Sequence, residues 1–361
     1  MILQIKDTLT FDEINYLLQI INKTDKFSYE FAHVLHSFDF IEFLVNNPNF
    51  LCILFYDNYT FNLNIRNIKG FMLGHTSLMY SQTSQNKLRL TVTKKNDYKE
   101  FDYAHIFFVD YFNIVSNENK YTFFEKIQHN LNITLNELHL ESCIFKLNSE
   151  INDKNLIKKY YNFRPINLDL LSKIGILNNN YVKDPINKVY NTFTYPMTFN
   201  KHKIIQMNPN KDDVDLNSLF YSLIEYNLQN YEMCSNITFD ELEEIFENDI
   251  FYKFLVYDKD TGILTDFVCF VKNTCSNSSM DLYCKNVHFY FGIFLSDNVQ
   301  YKYDILEYIC YYACTNQLFD MMTILDDINK PKISTKFLKT IKKDYYYNTN
   351  LNLSNSVYLN I

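Results

Sequence analysis

Glycine is scarce in this chain, with five in 361 residues against roughly 7% in an average protein. That scarcity excludes the phosphate cradles that depend on glycine: neither GxGxxG nor GxxxxGK[ST] occurs. The GxSxG elbow, the HExxH zinc helix and the kinase signature set are missing as well. Basic residues are outnumbered, 34 Lys and Arg against 42 Asp and Glu, for a net charge of −8. A nucleic-acid partner needs a basic footprint, so that class is set aside. No apolar stretch approaches the ~20 residues of a membrane span. The start, "MILQIKDTLTFDEI", has no basic segment followed by a long apolar one, so no signal peptide is expected and the cytoplasm is the expected compartment. Eight cysteines include no CxxC pair. Cys310 and Cys314 sit one helical turn apart, and Cys269, Cys275, Cys284 and His288 are loosely spaced. Zinc ligands come in tighter pairs, so reduced buried thiols and no metal are expected.

Aromatic residues fill the space that glycine and tryptophan leave, with 30 Tyr and 32 Phe. Apolar residues recur at helical spacing in "TFDEINYLLQIINKT" (10–24) and "SFDFIEFLVNN" (37–47), the latter stopped by Pro48. Strand-like runs follow at 50–56, 69–80, 87–94 and 104–112. Then come a helix at 119–131, a strand at 138–147 and a short helix, "NDKNLIKKYYNF", before Pro165. Residues 178–212 are rich in Asn, Lys and Pro and read as a linker with one or two strands. Helices at 215–231 and 238–248 begin a second round. It continues through strands at 251–258, 264–273 and 285–295, a helix at 303–317, a strand at 319–325 and a last helix, "TKFLKTIKK". "KDTGI" (259–263) is a hairpin turn. Both halves run helix, helix, antiparallel strands, helix, strand, helix, which predicts duplicated α/β units sharing a mixed sheet.

The chain exceeds the ~250–300 residues at which a single core stops growing, and the two units are expected at 1–198 and 199–361. Gly70 and Gly74 lie inside a strand pattern, where the simplest reading is a bulge or close backbone approach. Ser142 and Cys143 near a strand end have nothing local to activate them. Residues 102–127, "DYAHIFFVDYFNIVSNENKYTFFEKI", turn from an apolar run into a helix pattern. Strand–helix junctions attract anions through free N–H groups, although on its own this one reads as an ordinary connection.

Taken together, the segments resemble the N-myristoyltransferases, which are built as two fused acyl-CoA N-acyltransferase domains of GNAT-like fold. "LTDFVCF", "TFDELEEIFEN" before "FYKFLVYDKDTG", and "LFDMMTILDDINKPKISTKFLKTIKK" carry the resemblance in the second half. "FAHVLHSFDFIEFLVNNPNFLCILFY", "NIKGFMLGHTSL" and the 102–127 stretch carry it in the first. It implies an α/β, mixed-sheet fold with a pseudo-two-fold arrangement. It also implies a monomer that moves a myristoyl group from myristoyl-CoA, a co-substrate rather than a resident cofactor, to the amine of an N-terminal glycine peptide.

The resemblance assigns roles residue by residue. Backbone N–H groups of Phe107 and Phe108 would form the oxyanion hole, and the terminal carboxylate, here on Ile361, would take the amine's proton. Ser142 stands where the family has a threonine near the amine. Val115, Ser116, Asn117 and Glu118 replace the family's basic Arg-Ser-Lys-Arg at the CoA pyrophosphate, with Lys120 as a compensating cation. His288, Phe289 and Tyr290 would line the peptide groove. The family's Gly-Asp-Gly loop is reduced to Lys342-Lys343-Asp344, and its acidic lysine-binding cluster to Asp25 and Glu30. Two other readings stay open: a relative that binds acyl-CoA or peptide without turnover, and an N-acetyltransferase-like enzyme using a short acyl-CoA.

Overall fold

The computed structural model describes residues 1–24, 33–60, 62–81, 90–94, 97–101, 103–115, 118–147, 156–177, 202–207, 214–230, 233–235, 237–277, 281–294, 299–327, 338–348 and 357–358. In the first half, β1 (Ile2–Lys6), α1 (Phe11–Thr24), β2 (His33–Leu35), α2 (Phe38–Asn46), β3 (Phe50–Tyr56) and β4 (Gly70–Ser81) come first. After a hairpin of β5 (Leu90–Lys94) and β6 (Asp97–Phe101) come β7 (Tyr103–Ile114), α3 (Lys120–Glu137) and β8 (Ser142–Leu147). β9 (Leu156–Pro165) and α4 (Leu168–Ile174) lead to the second half. That half comprises β10 (His202–Gln206), α5 (Leu216–Asn230), β11 (Met233–Ser235), α6 (Phe239–Glu247), β12 (Phe251–Asp258) and β13 (Leu264–Asn277). β14 (Leu282–Ile293), α7 (Val299–Asn316), β15 (Met321–Asp327), β16 (Leu338–Asn348) and β17 (Val357–Tyr358) complete it.

The duplication is written into the strand order, β1-β3-β4-β7-β8-β16-β9-β15-β14-β13-β12-β10. Each half contributes three antiparallel pairings and then a parallel one, β7 with β8 and β14 with β15. A parallel pair needs a crossover, which α3 and α7 supply. The halves also exchange strands. β9 inserts between β15 and β16, while β16 pairs with β8. β2 pairs with the end of β13, and β11 with the end of β4. The expected unit boundary at 198/199 lies outside the described residues. Of the segment read as a linker, only β10 and Met207 are described.

Local chemistry sets the ends of the helices. Ser37 accepts the Phe40 N–H to start α2, and Thr238 with Glu241 forms a reciprocal capping box at α6. Gly175, at φ 86°, stops α4 in the left-handed conformation. In β3, "FLCILFY" is apolar throughout because both faces are covered: Cys52, Leu54 and Tyr56 enter a central core, while Leu51, Ile53 and Phe55 pack beneath α3. That central core joins α1, α2, α5 and α6 with strands of both halves. α3 and α7 cover the opposite faces of their own halves. Arg164 on β9 is fully buried and reaches Glu307 on α7 at 2.7 Å, fastening the exchanged strand.

Two predicted helices are strands. "NDKNLIKKYYNF" gives β9, and the stretch ending "FLKTIKK" gives the start of β16. Their apolar spacing of three and four residues suggests helices, but each is clamped between sheet neighbours, and β9 against β16 carries an irregular register between Lys339 and Lys343. Tertiary pairing overrides a weak local preference. No helix among the described residues is long and apolar enough to cross a membrane.

Candidate active site

β7 is the element on which the site is built. It pairs with β4 up to Leu73–Tyr111, and the register then passes to Gly74–Val109, leaving Asp110 as a bulged residue. The bulge presses the two backbones together: a Cβ on Gly74 would lie 1.9 Å from the Phe108 carbonyl oxygen. Only glycine fits there, in agreement with the sequence reading of this position. On its other edge β7 pairs with β8 at Ile106–Ser142, Phe107–Cys143 and Phe108–Ile144. Beyond that rung the β7–β8 register ends, while β8 stays paired on its other edge with β16 over Ile144–Leu147. The His105 carbonyl accepts the Glu141 N–H, so His105 faces β8. Alternation turns Phe107 and then Val109 toward that same edge. The result is a wedge between β7 and β8 that opens at Phe108, one rung before the bulge.

The wedge leads to the start of α3. Asn119 caps this helix, accepting the Tyr121 N–H at 2.8 Å. Sequence reading passed over Asn119, although an Asn before a periodic run is a start signal. Val115 is exposed and donates its N–H to the Lys69 carbonyl. Glu118 forms an ion pair with Lys126, and the Lys120 ammonium lies 5.6 Å from the Phe112 ring centroid. Ser116 and Asn117 lie outside the described residues, as do Ile361, Asp25 and Glu30.

Ser142 is fully buried opposite Ile106, its hydroxyl directed toward the Cys143 carbonyl at 3.5 Å. Phe107, Phe108 and Ser142 are therefore brought together on adjacent strands. Asp344 sits on β16 in register with Lys159 of β9, away from the bulge in β7. On β14, His288 is in register with Val271 and Thr323. Phe289 packs on the α7 side of the sheet, against Phe270 and Phe294. Tyr290 is itself a bulged residue, between Cys269–Phe291 and Phe270–Phe289, and is the second half's counterpart of Asp110.

The two bulges face a common interior. His75, on β4, stacks on the Phe108 ring at 5.7 Å and places Nδ1 3.4 Å from an Asp110 carboxylate oxygen. Burial opposes charge on His75, but the Asp110 hydrogen bond and the Asp110 and Glu241 charges outweigh it, so its pKa lies above the ordinary imidazole value. Tyr290 is held well above the usual phenol range, first by burial and then by the charges of Asp110 and Glu241. Glu241 accepts hydrogen bonds from the Asn47 side chain and the Thr238 N–H. Sequence reading named Tyr290 but missed His75, Asp110 and Glu241, because the group is scattered over four elements and no motif joins it. Among the described residues no three His, Cys, Asp or Glu side chains could hold a metal.

Neither the family models nor the curated proteins contain a match to the chain. Solved structures do. Saccharomyces cerevisiae N-myristoyltransferase with bound myristoyl-CoA superposes with a TM-score of 0.68 at 11% identity, covering 98% of this chain and 80% of the yeast chain. A second structure of the yeast enzyme with myristoyl-CoA gives 0.67, with 84% of its chain covered. The chain has the N-myristoyltransferase fold. The likeness runs through both halves, as the duplicated strand order requires. At 11% identity it establishes the N-myristoyltransferase architecture and leaves the chemistry to be argued from the site.

Proposed function

We propose that the protein transfers a long-chain acyl group, myristoyl by analogy, from acyl-CoA to the N-terminal glycine amine of a protein or peptide. The observation that supports this most is the wedge where β7 and β8 part beside a bulge and beneath the start of α3, within a fold that matches N-myristoyltransferase over 98% of the chain. A thioester laid in that wedge would meet the β7 N–H groups that alternation turns toward β8, at Phe107 and Val109, whereas the Phe108 N–H that the resemblance assigns to the oxyanion hole lies on the β4 side. Fixed amides of this kind stabilise the oxygen as it becomes negative. The nucleophile is the substrate's own amine, so no serine or cysteine need be activated, and burial of Ser142 and Cys143 is consistent with this.

The amine, with an unperturbed pKa of about 7.7–8.0, must lose a proton to attack. In this reading the Ile361 carboxylate is its acceptor and Ser142 a positioning hydroxyl. CoA phosphates would lie near Val115, Ser116, Asn117, Glu118 and Lys120, and the peptide along His288, Phe289, Tyr290 and Asp344. The units at 1–198 and 199–361 would divide acyl-CoA and peptide binding, in a cytoplasmic monomer.

Glu118 at the start of α3 favours a second reading, in which acyl-CoA or peptide is bound without turnover. An anion there opposes phosphate, while a helix start contributes only about 0.3–1 kcal/mol per exposed charge. Incubation with myristoyl-CoA and a glycine-initiated peptide, followed by mass spectrometry, separates the two. Acylated peptide supports the transferase; acyl-CoA binding by calorimetry with no product at any acyl length supports the binding module.

A further inference from the structure

We propose that His75 is a catalytic residue, the group that takes the proton of the attacking amine, with Asp110 holding its ring. The assignment rests on the acyl-transfer reading and changes one role in it, the proton acceptor: Ile361 lies outside the described residues, whereas His75 lies within the described site. Three observations support it. His75 stacks on Phe108, the residue at which the β7–β8 wedge opens. Its Nδ1 is turned to Asp110, so Nε2 is the nitrogen left to face a substrate. Asp110 is the bulged residue itself, so the feature that opens the strand also places the carboxylate. The pair is largely enclosed, at 13% and 11% exposure, where a carboxylate orients an imidazole firmly.

The step balances without a further reagent. The amine nitrogen bonds to the thioester carbon as neutral His75 accepts an amine proton at Nε2. The C–S bond then breaks, and the imidazolium returns that proton to the departing CoA sulfur. Among the described residues, the charged and titratable groups facing the pair are Glu241 from α6 and, through Asp110 and Glu241, the Tyr290 phenol from β14. Both carboxylates favour the protonated ring and outweigh the opposing effect of burial, so the His75 limb should lie above the ordinary imidazole range.

The test is the pH profile of kcat/KM for the full chain with myristoyl-CoA and a glycine-initiated peptide, alongside myristoyl-CoA binding by calorimetry. The wild type should show two ascending limbs, one from His75 and one from the peptide amine. In His75→Gln, kcat/KM should fall by about 10²–10⁴-fold, with the His75 limb gone, the amine limb kept and myristoyl-CoA affinity unchanged. Asp110→Asn removes the charge that favours the imidazolium, so it should move the His75 limb to lower pH. It also serves as the second variant if His75→Gln does not fold. An active wild type whose rate and limbs survive in His75→Gln, or whose limb stays in place in Asp110→Asn, overturns the assignment alone. A wild type that binds myristoyl-CoA without turnover overturns the acyl-transfer reading and the assignment with it.

Discussion

Replacing Gly74 with alanine probes the bulge that shapes the proposed site. The new Cβ would lie 1.9 Å from the Phe108 carbonyl oxygen, 2.9 Å from its carbon and 2.9 Å from the Val109 Cα. All three are backbone atoms, so no side chain can swing aside. To reach even 3.0 Å, β4 and β7 must separate by about 1.1 Å, more than a packed interior absorbs without loss. Overpacking costs typically about 1–3 kcal/mol, and a ladder hydrogen bond stretched beyond reach adds about 0.5–1.5. The expected destabilisation is therefore about 2–4 kcal/mol, read by urea denaturation. Because the shift occurs at Phe108, myristoyl-CoA affinity should fall at least about tenfold as well. Gly262→Asn is the control. Gly262 needs a positive φ of 70° but has nothing within 4 Å of its added Cβ, and Asn tolerates that conformation. This control should cost under about 1 kcal/mol and leave binding intact. Wild-type stability and binding in Gly74→Ala would refute the bulge as a rigid element of the site.

Arg164→Met takes the guanidinium away from the buried Glu307 carboxylate and should cost about 3–5 kcal/mol in chemical denaturation, most of it recovered in Arg164→Met/Glu307→Met. His75 has a raised pKa in the folded state, so its contribution to stability is fully present below its unfolded value near 6.5 and is lost as pH rises through the higher folded value. The melting temperature of the wild type relative to His75→Asn should accordingly decline across that window. Glu118→Lys reverses the charge at the start of α3, a swing of two charges at about 0.3–1 kcal/mol each. It should tighten CoA binding by about three- to thirtyfold, with the gain shrinking as salt is added.

Much of the fold was legible because its strongest signals are periodic. α1, α2 and α6 announce themselves by spacing and caps, and β3, β13 and β14 by continuous apolar runs that both faces of a covered sheet demand. The repeated element order correctly indicated duplication. β9 and β16 were not legible as strands, because what makes them strands is exchange between the halves, a contact more than 150 residues distant in sequence. The same separation hides the interior group. His75 and Asp110 are 35 residues apart, and Glu241 and Tyr290 come from the other half. Gly70 and Gly74 were the exception: two glycines in one strand pattern marked the close approach, and a Cβ at either would lie within 3 Å of a β7 backbone oxygen.

In the proposed reaction the wedge opening at Phe108 presents an acyl-CoA thioester to the amine of an N-terminal glycine. Its most direct test is mass spectrometry of a glycine-initiated peptide after incubation with the full chain and myristoyl-CoA, beside the same peptide blocked by N-acetylation. The free-amine peptide should gain one myristoyl group and the blocked one none. No acylation with donors of any chain length, or equal acylation of the blocked peptide, would contradict it.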